Sequence, residues 1–261
     1  VAGLHGGHGR NGGRQEQGIG VGAAGGGAGN GAPDGEASGG EVSRTAEAVR
    51  RLRFRGCWTE AAALLEPAAG VRPDVALHRA ETLIEGALYT AEGWDGAEAA
   101  LRRAEALARS DEQRAAAACA RGQLAFAATV LRVRDRADEA HAALGRAAAM
   151  LPPGAPRRPV LDHRRGLLAQ HLAGQPEAAR AAYRRALAGA RANADERQTA
   201  DTLQQLAGLA AREMDLVSAR ESYRECVRLR ERIGHLVGLA PALTGLARVE
   251  AEPEAGRLRL E

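Results

Sequence analysis

One short pattern recurs five times along this chain and leaves few folds open. A small residue is followed by a bulky one four places on, and by another small one three further on. The copies are Ala61, Leu65, Ala68; Ala97, Leu101, Ala104; Ala140, Leu144, Ala147; Ala179, Tyr183, Ala186; and Ala219, Tyr223, Cys226. Four-plus-three spacing puts all three side chains on one helix face. The small residues admit a neighbouring helix closely, and the large one fills the gap between helical pairs. The first alanines of successive copies lie 36, 43, 39 and 40 residues apart. A helical pair returning every ~34–47 residues points to a solenoid.

Composition agrees with an all-α reading. Aromatic residues make up only 3% of the 261. Alanine and leucine, strong helix formers, dominate instead. Breaks are expected at Gly56, Pro67 to Pro73, Gly93, near Asp111, Pro152 to Pro159, Gly174, near Asn193, Met214 to Asp215, and Gly234. They cut the chain into helices of roughly 10–18 residues. Ser110 and Gln113 have the spacing of a capping box. Pro152, Pro153, Pro156 and Pro159 predict an extended connection, since proline inside a helix costs about 3 kcal/mol. Residues 1–41 form a separate region: seventeen of the 33 glycines lie in the first 40 residues. With so little apolar surface to bury, that tail is expected to be disordered. The repeat region is then 42–261: five hairpins and an incomplete sixth, with helices expected at Pro241 to Val249 and from Pro253. An uncapped last unit exposes apolar surface, as truncation or a docked partner would explain. The chain opens on Val1 rather than Met, which fits a non-standard start or a fragment.

The five copies together resemble the tetratricopeptide repeat. Trp58 and Trp94 take that family's aromatic position at the turn, and Tyr183 and Tyr223 its bulky position in the second helix. Pro152 falls where the family often closes a repeat. Leu206 and Ala207 match the Leu-Gly pair of the first helix; in the fourth copy the corresponding pair is Gly166 and Leu167, which leaves the register open by a residue. The ~40-residue period is also similar to the long-helix arrays ending large bacterial transcription regulators, most of all from Ala219 to Arg248.

The resemblance implies a right-handed superhelix that binds a protein or peptide and needs no cofactor. In the family the first helix of each pair lines a concave groove. Carried over, the groove positions are Arg79, Thr82 and Tyr89; Phe126 and Arg132; Arg164, Arg165 and His171; and Gln204, Gln205 and Arg212. These are arginines and amides with few acids. The planar fork of arginine suits carboxylates, so an acidic peptide or acidic helix is the expected ligand. Soluble helix surface would carry the same arginines. The expected role is that of an adaptor or regulatory scaffold. The alternatives are the sensor or effector part of a bacterial transcription regulator, an enzyme hidden in a helical scaffold, and an RNA-binding array.

Several chemistries are closed or weakly supported. The chain has no lysine, so no Walker-type phosphate loop, lysine Schiff base or lysine-based carboxylate clamp can form. The net charge of +3 with mixed signs argues against a nucleic-acid stripe. Cys57, Cys119 and Cys226 are odd in number and far apart, which fits a reduced, cytoplasmic protein. No apolar run nears the ~18–20 residues of a membrane span, and no signal-peptide core opens the chain. Gly20, Gly22 and Gly25 match the dinucleotide fingerprint but follow no strand, and His5 with His8 lack a third metal ligand. His163 and His171 read as surface or groove residues. Trp58 and Trp94 are expected to pack at turns rather than anchor a partner, and Cys226 to be an inert core thiol.

Overall fold

The computed structural model describes the backbone of residues 34–258 and the side chains of residues 43–251. Regular structure among them is helical throughout: α1 (Asp34–Phe54), α2 (Trp58–Ala69), α3 (Pro73–Thr90), α4 (Trp94–Leu107), α5 (Asp111–Val130), α6 (Ala137–Met150), α7 (Arg158–His171), α8 (Pro176–Ala192), α9 (Glu196–Arg212), α10 (Leu216–Ile233) and α11 (Leu236–Leu258). The glycine-rich tail, with its dinucleotide-like stretch and its two histidines, lies at residues 1–33, outside the described residues. Its expected boundary at residue 41 falls inside α1. No helix among the described residues is long and apolar enough to cross a membrane.

Consecutive helices pair into five antiparallel hairpins, α1 with α2 through α9 with α10, and α11 packs alone on α10 and α9. The result is an all-α helical solenoid. The recurring pattern is its glue. Of the fifteen pattern residues fourteen are buried, and only Ala68 is half-buried. Tyr183, Leu101 and Leu144 are among the largest fully enclosed side chains. Two of the bulky residues press on a glycine of the hairpin partner: Leu144 on Gly122 and Tyr183 on Gly166, with no room for a Cβ at either. This fixes the register of the fourth hairpin, because Gly166 itself is the small partner of Tyr183.

Local signals set most helix ends. Ser110 Oγ accepts from Gln113 N, and Gln113 Oε1 accepts from Ser110 N, each at 3.2 Å, completing the capping box. Asp195 and Asp215 cap α9 and α10 the same way, accepting from Gln198 N and Ser218 N. The break at 131–136 has no glycine or proline and escapes sequence reading; there Arg132 adopts φ +57°. Pro67 lies inside the last turn of α2, and the break falls just after it at 70–72. The proline-rich connection at 151–157 is two successive turns rather than extended chain, closed by Ala155 N to Pro152 O and Arg158 N to Ala155 O. The sixth unit is also corrected. α11 runs unbroken through Pro241 and Pro253. Leu239, Ala242, Leu246 and Val249 keep a 3-4-3 apolar spacing that stays seated on α9 and α10, and the backbone bond lost at Pro241 does not outweigh it. Leu236 and Leu243 of α11 remain exposed.

The solenoid closes on itself. α1 meets α11. The Phe54 ring lies 4.6 Å from that of His235, and Arg50 Nη1 donates to the Ile233 carbonyl at 3.2 Å. Arg197 of α9 reaches the same ring, 5.7 Å from its centroid. Glu85 of α3 ties the seam from inside, bonding Arg53 Nη2 at 2.5 Å and Arg197 Nη2 at 2.7 Å.

Candidate functional site

Closure turns the concave face into the wall of a cavity of about 630 Å³. Four inner helices supply stripes at helical spacing: Glu81, Ile84, Glu85 and Leu88 from α3; Gln123, Phe126 and Val130 from α5; Val160, His163, Arg164, Leu167 and His171 from α7; Arg197, Gln198, Asp201, Gln204 and Gln205 from α9. Steps of three and four keep each set on one face. Every hairpin reverses the chain twice, so these helices run in one direction. One part of the wall, its charged end, holds Glu81, Glu85, Arg157, Arg164, Arg197 and Asp201, with Tyr89 and Gln204 bordering it. The rest carries Leu88, Phe126, Leu167, His171 and Gln205.

The charged end is a network of shared carboxylates. Glu81 Oε1 lies 3.1 Å from Arg157 Nη1 and 3.9 Å from Arg164 Nη2. Asp201 bonds Arg230 Nη2 at 2.9 Å, and its second oxygen lies 3.8 Å from Arg197 Nε. Burial pushes the Glu81, Glu85 and Asp201 carboxyls upward, but the facing guanidiniums outweigh it and hold all three below their ordinary values. All three are ionised at neutral pH. The histidines go the other way. Burial, helped by neighbouring arginines, lowers His163 and His235 to about 4, so both are neutral. His163 Nδ1 sits 3.1 Å from Thr202 Oγ1, whereas neither ring nitrogen of His235 has a partner. Burial also lifts the Tyr89 phenol to about 12.

Arg164 stands apart. Its side chain is 14% exposed, and its Nη1 is buried without a hydrogen-bond partner. Among the described residues the nearest carboxylate oxygen is that of Glu81, beyond hydrogen-bond reach. The thiol of Cys119 lies against it.

Six of the eleven carried-over positions line the cavity: Tyr89, Phe126, Arg164, His171, Gln204 and Gln205. The other five do not. Arg79 turns back to Glu66 of α2. Thr82 is fully buried, its hydroxyl donating to the His78 carbonyl at 2.8 Å. Arg132 occupies the exposed turn after α5, and Arg165 and Arg212 are exposed away from the cavity. A helix repeats every 3.6 residues, so neighbours such as Arg164 and Arg165 point about 100° apart. The expectation of few acids is likewise corrected, because Glu81, Glu85 and Asp201 share the wall. Their spacing to the groove residues was the available signal: Glu81, Glu85 and Tyr89 stand four apart, as do Arg197, Asp201 and Gln205. Trp94 packs at its turn, donating from Nε1 to the Ala91 carbonyl at 2.8 Å. Trp58 stacks on Tyr89 with centroids 5.2 Å apart. Cys226 is fully buried, donates to the Ala200 carbonyl at 3.2 Å, and is raised by burial to about 11, as befits an inert thiol.

No family model and no curated protein matches the sequence. Among solved structures the chain is similar to BtubC (BKLC) from P. vanneervenii, at 17% identity with a TM-score of 0.46, over 86% of this chain and 91% of that one. The reading of the site therefore rests on its own geometry.

Proposed function

We propose that this chain is a tetratricopeptide-like interaction module, an adaptor or regulatory scaffold of the cytoplasm, whose inner wall receives a short segment of a partner protein. The supporting observation is the convergence of four inner helices on one polar, aromatic-edged cavity containing a guanidinium without an oxygen partner. Such a wall offers preformed contacts and charge matching rather than reacting groups. Size narrows the expected ligand. A helix ~10–12 Å across has a section of roughly 80–110 Å², so a cavity of about 630 Å³ would hold only about four or five helical residues. A few residues of extended chain suit it better than a docked helix.

Enclosure also favours a second reading, the ligand-sensing part of a larger regulator. Pockets of roughly 300–1,000 Å³ suit small molecules. An array of immobilised pentapeptides tests the first reading. The full chain should retain a specific set; Arg164→Met should lose it and Arg165→Met should keep it. Equal loss in both variants, or no retained peptide, would remove the support for peptide capture in the cavity.

A further inference from the structure

The cavity has a polarity that defines its ligand. At its charged end five guanidiniums, those of Arg53, Arg157, Arg164, Arg197 and Arg230, face four carboxylates. One of the four, Asp195, is exposed and already caps the N-terminus of α9. Arg157 is 40% exposed and is set aside on the same ground, which leaves three carboxylates, Glu81, Glu85 and Asp201, against four largely buried arginines that stay protonated at any working pH. The histidines add no charge, since burial keeps His163 and His235 neutral. Excess buried positive charge is costly unless a counter-charge joins it. The shortfall sits at Arg164, whose Nη1 has no partner and which shares one oxygen of Glu81 with Arg157. Away from it Phe126 and Leu167 offer an apolar seat, with the His171 ring 6.0 Å from that of Phe126.

We propose that the cavity is a site for an amphipathic carboxylate, its anionic head on Arg164 and Arg157 and its apolar body against Phe126 and Leu167. The inference rests on the reading of the inner wall as the binding surface. Two sources carry this chemistry: a free small organic acid, and an acidic side chain flanked by apolar residues in a peptide. Arginine's fork can present two parallel N–H groups to such a head, and Glu81 competes with it for the same donors. The competition gives a signature that a purely structural ion pair lacks. Removing the charge of Glu81 should strengthen binding, whereas removing that of Arg164 should weaken it.

Calorimetric titration of the full chain tests this with four probes: 4-phenylbutyrate, 4-phenylbutyramide, an acetylated, amidated pentapeptide carrying Glu beside Phe, and the same pentapeptide with Gln for Glu. The acid should bind at least about tenfold more tightly than its amide, the usual worth of a charge-assisted bond. Arg164→Met should erase that difference, with circular dichroism reporting whether the variant folds. Glu81→Gln should tighten the acid several-fold, so the test survives even if Arg164→Met unfolds. Equal binding of acid and amide, no binding of either, or weaker acid binding in Glu81→Gln would overturn the proposal. Binding of the acid without the pentapeptide would uphold the anion site and overturn peptide capture. Binding of the pentapeptide that is indifferent to Glu→Gln within it would do the reverse.

Discussion

Truncating Phe54 should open the ring without dissolving the repeats. The ring is 6% exposed and belongs to the first helix, yet it faces His235 at the start of the last. Two guanidiniums lie over it, Arg50 at 5.1 Å and Arg197 at 5.7 Å. A ring pair of this kind contributes ~0.5–1.5 kcal/mol and each cation–π contact ~0.5–1 kcal/mol. Phe54→Ala therefore removes about 1.5–3.5 kcal/mol from the seam, within the ~3–5 kcal/mol that such truncations cost in all. The open population should rise by roughly ten- to several-hundred-fold, at 1.4 kcal/mol per decade. In a solenoid each unit leans only on its neighbours, so the loss should stay local. Amide hydrogen exchange is the assay. Exchange should quicken in α1 and in α11 while α5 to α8 keep their protection, and X-ray scattering should show a larger radius of gyration. Faster exchange in α1 alone, with α11 unchanged, would show that Phe54 serves only its own hairpin and would refute the closed seam.

Two further outcomes follow from the same interior. His163 and His235 titrate near 4 in the fold against an ordinary 6.5, so the unfolded chain takes up more protons between those values. The stability they lend is complete above about pH 6.5 and is lost as pH falls toward 4, by up to ~3 kcal/mol each. Urea midpoints across that range should fall with pH; a midpoint flat from 7 to 4.5 would contradict their burial as neutral rings. At Gly166 the Tyr183 ring occupies the space a Cβ needs. Gly166→Ala should cost about 1–3 kcal/mol through overpacking, read as a lower Tm, whereas Gly145→Ala, with open space around it, should not destabilise the chain.

How much of this was legible in the sequence differs by level. The hairpins were, because the pattern residues at four-plus-three spacing are the contacts that join each pair, and such contacts are local. Gly166 shows where local reading stops. Whether it or Leu167 was the small partner depended on the turn before it, and only the packed Tyr183 decides. Closure was not legible, since it depends on small rotations summed over five hairpins. Phe54 and His235, 181 positions apart, carry no mutual signal. The buried acids were hidden for a related reason. Glu81 and Glu85 follow Arg79, and Asp201 follows Arg197, at the spacing of solvated helix-surface charges, and only the meeting of α3 with α9 makes them interior. Pro241 misled for a physical reason, because an apolar stripe seated on two helices held α11 straight through it.

The central claim is that the inner wall, not the outer face, holds a partner. It is tested most directly by hydrogen exchange of the full chain with and without a peptide retained from the array. Bound peptide should protect α3, α5, α7 and α9, strongest around Arg164 and Phe126, and leave α4, α6 and α8 unchanged. Protection confined to the outer helices or to the exposed end of α11 would contradict it.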